Sequence, residues 1–156
     1  MPFIRYFPVL AVVLCLSAAA EPLQAAAAWM AEAQPFAAAA VERHFGLKVK
    51  KQCAAGQSGV ECVAAGDRID LHWRAAADDG QVLEGYLRLP LDGCMVRGKA
   101  EEVLGTRLRL DADSVADRSP TVTLSARYWT PGRIWRVSMA FDRDCARLLT
   151  ITTPAF

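Results

Sequence analysis

The chain has 156 residues, with 18 basic and 17 acidic side chains. Arg5 is the one charged residue among the first twenty, so the remainder carries 17 residues of each sign. Nucleic-acid binding depends on surplus cations that displace counterions, so this balance disfavours nucleic acid as a partner. The length indicates a single domain.

The first twenty residues have the pattern of a cleavable signal peptide. Arg5 precedes an apolar run over 7–16, and small residues follow up to Ala20. We expect cleavage after Ala20, although the alanines at 25–28 allow a later cut. The apolar run is too short to span a bilayer, so no stable membrane anchor is expected. Cys15 allows an alternative as an acylated lipoprotein cysteine, which the large Leu14 before it disfavours. Because the composition is typical of a GC-rich bacterium, residues 21–156 are expected to form one periplasmic domain.

Four cysteines remain after this cut. An even number in an oxidising compartment predicts two disulfides. Three pairings are possible, and the turn-rich stretch between the first two cysteines favours Cys53 with Cys62 and Cys94 with Cys145. A zinc site is disfavoured because no C-x-x-C pair occurs, so no metal is expected.

A helix is predicted over 35–45. Pro35 suits the first position of a helix and Gly46 suits its C-terminal cap. Before Pro35, the segment from 25 is alanine-rich and helix-prone as well. The apolar residues of 35–45 recur at helical spacing on one side, so this helix should cover a sheet.

From Leu47 onward, apolar and polar residues alternate as in strands. The strand around 68–75 is paired with the one around 82–89 through a loop formed by Asp78, Asp79 and Gly80. The apolar faces match only in one register, which places Arg74 opposite Glu84, His72 opposite Tyr86 and Asp70 opposite Arg88.

The remaining elements complete an α+β domain. A short helix over 92–104 ending at Gly105 and a strand over 106–110 are expected. A hairpin turning at 130–132 should place Tyr128 and Trp135 on one side, before a last strand over 145–152. The predicted fold is an N-terminal helix on a mostly antiparallel sheet of about six to eight strands.

Catalytic motifs are scarce. The chain has two histidines, and His44 is interpreted as a residue of the helix C-terminus, where a cationic ring is favourable. His72 lies near Asp70, an arrangement that could orient a general base, but Asp70 already has Arg88 as its expected partner. No nucleophile elbow and no phosphate-binding glycine loop occur. We therefore expect no enzyme activity, no catalytic residue and no cofactor.

Two surfaces are candidates for binding another protein. The hairpin tip combines Arg127, Trp129, Pro131, Arg133 and Ile134, and alternation leaves Trp129 and Ile134 exposed. Tryptophan, tyrosine and arginine dominate binding energy at protein interfaces. The second candidate is the outer sheet face around His72 and Tyr86. The alternative for both is an ordinary solvated surface.

These patterns favour a non-enzymatic periplasmic binding protein. The most specific hypothesis is an inhibitor or immunity protein against an envelope-targeted toxin or a cell-wall hydrolase. An accessory subunit of an envelope assembly or secretion machine is the alternative, which strand-edge pairing with another subunit would support. A small-ligand or lipid-binding protein is the third.

Overall fold

The computed structural model describes residues 20–49, 54–56, 59–66, 68–76, 81–111 and 121–154. The helices are Ala20–Met30 (α1), Ala38–Phe45 (α2) and Arg97–Leu104 (α3). The strands are Ala54–Gly56 (β1), Gly59–Ala65 (β2), Asp70–Ala75 (β3), Val82–Met95 (β4), Arg109–Leu110 (β5), Thr121–Thr130 (β6), Arg133–Asp142 (β7) and Cys145–Thr153 (β8). The α+β class is confirmed. Residues 1–19 of the predicted signal lie outside the described residues, as does the Asp78-Asp79-Gly80 loop.

The strands form one sheet in the order β1-β2-β3-β4-β8-β7-β6-β5. Every neighbouring pair is antiparallel, as predicted. The last strand, β8, lies between β4 and β7, so the C-terminal segment joins two meanders into one sheet. No helix in the described part of the chain is long and apolar enough to cross a membrane.

The predicted register between β3 and β4 is confirmed. Arg74 pairs with Glu84, His72 with Tyr86 and Asp70 with Arg88. The register then shifts between Arg74 and Ala75, and Ala75 pairs with Val82. This bulge leaves Leu83 outside the ladder and 42% exposed.

Helices and strands bury their apolar residues on one side of the sheet, which we call the inner face. The inner-face strand residues are almost fully buried: Leu71, Trp73, Leu87, Leu89, Trp135, Val137, Met139, Leu149 and Ile151. They form one cluster with residues of all three helices, including Trp29 of α1, Val41 of α2 and Leu104 of α3. The core of the domain therefore lies between the helices and this face.

The helical region differs from the prediction of one helix over 35–45. Two helices occupy it, and Pro35 lies in the turn between them rather than at the start of the second. The Trp29 indole N–H donates to the Pro35 carbonyl, and the ring packs edge-on against Phe36 at 5.3 Å between centroids. These contacts hold Pro35 and Phe36 against the core, so α2 begins only at Ala38. Gly46 is the left-handed C-cap, as predicted.

The segment after β4 also differs in its boundaries. The predicted helix over 92–104 begins only at Arg97, because β4 continues to Met95. Its predicted end is confirmed, since Gly105 is a left-handed cap whose N–H donates to the Glu102 carbonyl. The expected strand over 106–110 is reduced to the two residues of β5.

One of the two predicted disulfides is confirmed. Cys94 near the end of β4 is bonded to Cys145 at the start of β8. Cys62 is disulfide-bonded as well, but Cys53 lies outside the described residues. The pairing of Cys53 with Cys62 therefore stays a prediction.

The position of the Phe36 ring requires a residue without a side chain at the neighbouring position of β4. Gly85 lies on the inner face of β4, and a Cβ atom built there would lie 2.3 Å from the Phe36 Cζ atom. Phe36 also contacts Trp73 and Trp135, with ring centroids 5.7 and 5.9 Å away. A side chain at Gly85 would force the ring out of this aromatic cluster.

We expect Gly85→Ala to lower the free energy of unfolding by about 1–3 kcal/mol, the usual cost of overpacking a core. Urea titration followed by tryptophan fluorescence measures this. The control is Gly98→Ala in α3, where a Cβ meets nothing within 4 Å and alanine favours the helix. Equal stability of both variants and the wild type would contradict the packing argument.

Glu32 joins the loop after α1 to the end of α2. Its Oε1 atom lies 2.8 Å from Nε2 of His44 and 2.7 Å from Nη1 of Arg43. The hydrogen bond with His44 is the main cause that lowers the pKa of Glu32 below its ordinary value of 4.5, and the charge of Arg43 adds to it. His44 thus lies in the last turn of the helix, where the sequence placed it, and contacts a carboxylate.

A lowered folded-state pKa means that Glu32 stabilises the fold when it is ionised. This contribution is present above pH 4.5 and is lost as the pH falls through the lower folded-state pKa. We expect Glu32→Gln to lower the urea midpoint at neutral pH and the difference from the wild type to close in acid. The exposed Glu42→Gln serves as the control, and a difference that is independent of pH would contradict the assignment.

Candidate functional site

The face of the sheet opposite the helices, which we call the open face, carries the polar and aromatic candidates. Alternation along β3 and β4 places His72, Arg74 and Tyr86 there. The same alternation on the hairpin of β6 and β7 places Trp129 and Ile134 there, and they pair directly across the two strands. No described helix lies on this face. Both surfaces predicted from the sequence therefore belong to one face of one sheet.

A continuous row of side chains connects the two surfaces. Each member is the direct cross-strand partner of the next, from β2 through β3, β4, β8 and β7 to β6. In order, the row is Val63, His72, Tyr86, Thr152, Arg136 and Arg127. Directly opposed residues have Cβ atoms about 4.5–5.5 Å apart, so neighbours in the row are close enough for one partner surface to contact several of them.

A cavity of about 480 Å³ opens where this row crosses the centre of the sheet. Its polar lining comes from four strands and includes His72, Arg74, Glu84, Tyr86 and Arg136. Arg74 Nε lies 3.1 Å from Glu84 Oε1, and Arg136 forms an ion pair with Asp111. The charges within the cavity are thus largely balanced, and Tyr86, 38% exposed, supplies aromatic surface.

The hairpin tip is held rigid by bonds at its base. The Trp135 indole N–H donates to Thr130 Oγ1 at 3.0 Å, and the Thr130 hydroxyl donates to the Arg133 carbonyl at 3.4 Å. From β8, the Thr153 hydroxyl donates to the Ile134 carbonyl at 3.1 Å. Gly132 has a φ of +80°, a conformation that glycine adopts without strain. Trp129, 66% exposed, and Ile134, 36% exposed, therefore project from a fixed base.

The other predicted tip residues are placed differently. Pro131 is exposed in the turn and Arg127 is exposed on the open face. Arg133 instead turns to the inner face, where its guanidinium lies over the rings of Phe36 and Trp135 at 5.4 and 5.5 Å. Burial there lowers the pKa of Arg133. Arg133 thus supports the base of the tip from behind, while Arg127 faces outward.

His72 does not form a dyad with Asp70 in this structure. Among the described residues no hydrogen bond joins the two, and Asp70 is paired across the strands with Arg88. His72 instead lies between Val63 and Tyr86 in the row. The described residues also contain no group of three His, Cys, Asp or Glu side chains arranged to hold a metal ion.

Three residues of the site were missed by sequence reasoning. Thr152 and Arg136 link the two predicted surfaces, and Asp111 balances the charge of Arg136. Alternation along β7 and β8 gives their orientation, but only the placement of β8 beside β4 shows that they belong to the same site. Asp111 lies 25 residues from Arg136 in the chain, and no local pattern connects them.

Comparison of the chain with protein-family models, with curated proteins and with solved structures finds no match. The open face and the hairpin tip are therefore the basis on which the function is inferred.

Proposed function

We propose that the protein is a non-enzymatic periplasmic binding protein that holds another protein against its open face. In its most specific form it is an inhibitor or immunity protein against an envelope-targeted toxin or a cell-wall hydrolase. The observation that carries the proposal is the continuity of the face from His72 and Tyr86, through Thr152 and Arg136, to Trp129 and Ile134.

The residue types on this face suit protein recognition. Tryptophan, tyrosine and arginine are the side chains that most often carry binding energy, and all three occur along the row and at the tip. The tip is ordered by its own hydrogen bonds, so little conformational entropy is lost when a partner binds it. The cavity beside Tyr86 has room for a side chain of the partner.

The shape of the tip favours inhibition over passive association. Trp129 and Ile134 are cross-strand neighbours beside the turn of the hairpin, which is held by the Thr130–Arg133 bond and by the bond from Thr153 of β8 to Ile134. An exposed apolar pair beside a turn that is held in place fits a concave surface such as the substrate cleft of a hydrolase. Occupying such a cleft would block the hydrolase without any chemistry by the inhibitor.

Site-specific photo-cross-linking in the cells that produce the protein tests this proposal. A benzophenone amino acid in place of Trp129 or of Tyr86 is expected to give the same protein adduct. The same group in place of Glu42, exposed on α2, is the control and should not give it. The second candidate function, binding of a small ligand in the cavity, predicts no protein adduct at either position, and that result would overturn the proposal.

For the partner identified by its adduct, we expect Trp129→Ala to weaken binding by about tenfold or more, as truncating a central tryptophan usually does. Because Trp129 is 66% exposed, the thermal midpoint should change little. Purified cell wall digested by the partner provides the test of the inhibitory form. Wild-type protein should block digestion at a stoichiometric amount and Trp129→Ala should not. Undiminished digestion with wild-type protein would restrict the proposal to binding without inhibition.

We further propose that residues 1–20 are removed on export and that Cys53 is bonded to Cys62. The helix α1 supports a cut before Leu23, because Leu23, Ala26, Trp29 and Met30 are fully or almost fully buried. A cut at the alanines of 25–28 would delete Leu23 from the core.

We expect the exported protein to begin at Glu21 and all four remaining cysteines to resist alkylation unless they are first reduced. Intact-mass and peptide mass spectrometry measure both, and the expressed chain without export is the control. An exported protein whose first residue lies beyond Leu23 would contradict the proposed cleavage. Alkylation of Cys53 without prior reduction would contradict its disulfide with Cys62.

A further inference from the structure

Most of β6 has a neighbour on one side only. Along its whole length it pairs with β7, from Thr121 to Thr130. On its other side β5 pairs with Leu124 and Ser125, and the Asp111 N–H donates to the Thr123 carbonyl at 3.0 Å. Within the described part of the chain, the outer edge of residues 126–130 has no strand beside it. This stretch leads directly to the hairpin tip.

The free backbone groups of this edge belong to Arg127 and Trp129. In an antiparallel sheet, alternate residues direct both their N–H and C=O groups to the same neighbouring strand. The Thr123 carbonyl points toward β5, so the groups of Arg127 and Trp129 point to the same outer side. Neither residue makes another hydrogen bond with the described part of the chain. Two donors and two acceptors are therefore available to an added strand.

The side chains of the same two residues lie on the open face. Trp129 is 66% exposed and Arg127 is exposed as well. An added strand would thus place its alternate side chains beside an arginine and a tryptophan while its backbone bonds to the edge. Backbone bonds of this kind give affinity, and the alternate side chains give specificity.

The described side chains around this edge carry an excess of positive charge. Arg107 and Arg109 are exposed just before and within β5, and Arg127 is exposed on β6. Among the described carboxylates near them, Asp111 is paired with Arg136, and Glu101 accepts a hydrogen bond from Arg97 at 2.8 Å and interacts with the charge of Arg107. A strand edge lined with cations disfavours pairing with a second copy of the same edge. It favours a strand that carries carboxylates.

We propose that an extended acidic segment of the partner protein adds to the outer edge of β6 along residues 126–130. A carboxylate of that segment meets Arg127 and an apolar side chain covers Trp129. The inference rests on the proposed function in that the partner is a protein, and it names the chemistry by which that partner is recognised.

The probes are two end-capped peptides of sequence Thr-Val-Thr-Glu-Thr-Val-Thr and Thr-Val-Thr-Lys-Thr-Val-Thr, in which the charged residue and the valines lie on the same face of the strand. We expect the acidic peptide to bind at least about tenfold more tightly than the basic one at low salt, because opposite charges attract at the arginine-lined edge. Fluorescence anisotropy of labelled peptides measures this. In amide hydrogen exchange on the wild-type protein, the N–H groups of Arg127 and Trp129 should become protected when the acidic peptide binds.

The matched variants are Arg127→Ala and Arg127→Pro. Both remove the charge, but only proline removes the edge-facing N–H. We expect Arg127→Ala to weaken binding of the acidic peptide severalfold and Arg127→Pro to abolish it, at unchanged secondary structure by circular dichroism. The exchange measurement on the wild type tests the edge if the proline variant does not fold.

Equal binding of both peptides, absence of binding, or failure of Arg127 and Trp129 to become protected would overturn the inference. A dimer in sedimentation that Arg127→Pro dissociates would overturn it in favour of a second copy. Cross-linking from Tyr86 separates this failure from that of the proposed function. If the Tyr86 adduct persists in Arg127→Pro and the peptides do not bind, the open face still binds a partner protein. In that case the partner does not bind through the edge of β6.

Discussion

The strand β8 lies in the middle of the sheet, with β4 on one side and β7 on the other. Its inward residues Ala146, Leu149 and Ile151 are fully buried, and its start is tied to β4 by the disulfide between Cys94 and Cys145. A strand buried among neighbours on both sides loses two ladders of hydrogen bonds if it detaches. Correct placement of the last strand is therefore the condition for a single sheet, since without it β1 to β4 and β5 to β7 would be separate meanders with open edges.

The same placement creates the site. Thr152 pairs with Tyr86 on one side and with Arg136 on the other, so β8 supplies the link in the row between the face around His72 and the hairpin tip. Thr153, the next residue, points to the inner face and donates to the Ile134 carbonyl. Adjacent residues of one strand thus join the two surfaces and hold the tip in position. The strand β8 therefore both contributes to the core and positions the side chains of the open face.

Local patterns in the sequence predicted much of the fold and part of the site. Alternation gave the pairing of His72 with Tyr86 and the inward orientation of Trp135, because side-chain orientation and register are set by residues near in sequence. The order of the strands depends on contacts between residues about 65 apart, such as Tyr86 with Thr152, and alternation carries no information on these. The link between the two surfaces could not be predicted for that reason.

The misplaced start of the second helix has a related cause. Pro35 suits a first helical position by its own preferences, and those preferences were all that the sequence offered. In the structure, the Phe36 ring packs against the Trp29 ring, and Gly85 leaves room on the sheet for the Phe36 ring. The contact combines residues from a helix, a loop and a strand. Local propensity is a weak preference beside the burial of an aromatic side chain, which contributes about 1.5–3 kcal/mol.

The distribution of charge on the open face distinguishes its centre from its edge. At the centre, Arg74 is paired with Glu84 and Arg136 with Asp111, so an approaching surface meets paired charges and aromatic rings. At the edge, Arg127 makes no ion pair with any described residue. Paired charges already have their partners and contribute little to the attraction of a new one, whereas an exposed arginine that has no ion pair among the described residues attracts and orients a carboxylate before contact. The centre is therefore suited to shape complementarity, and the edge to selecting a partner by its charge.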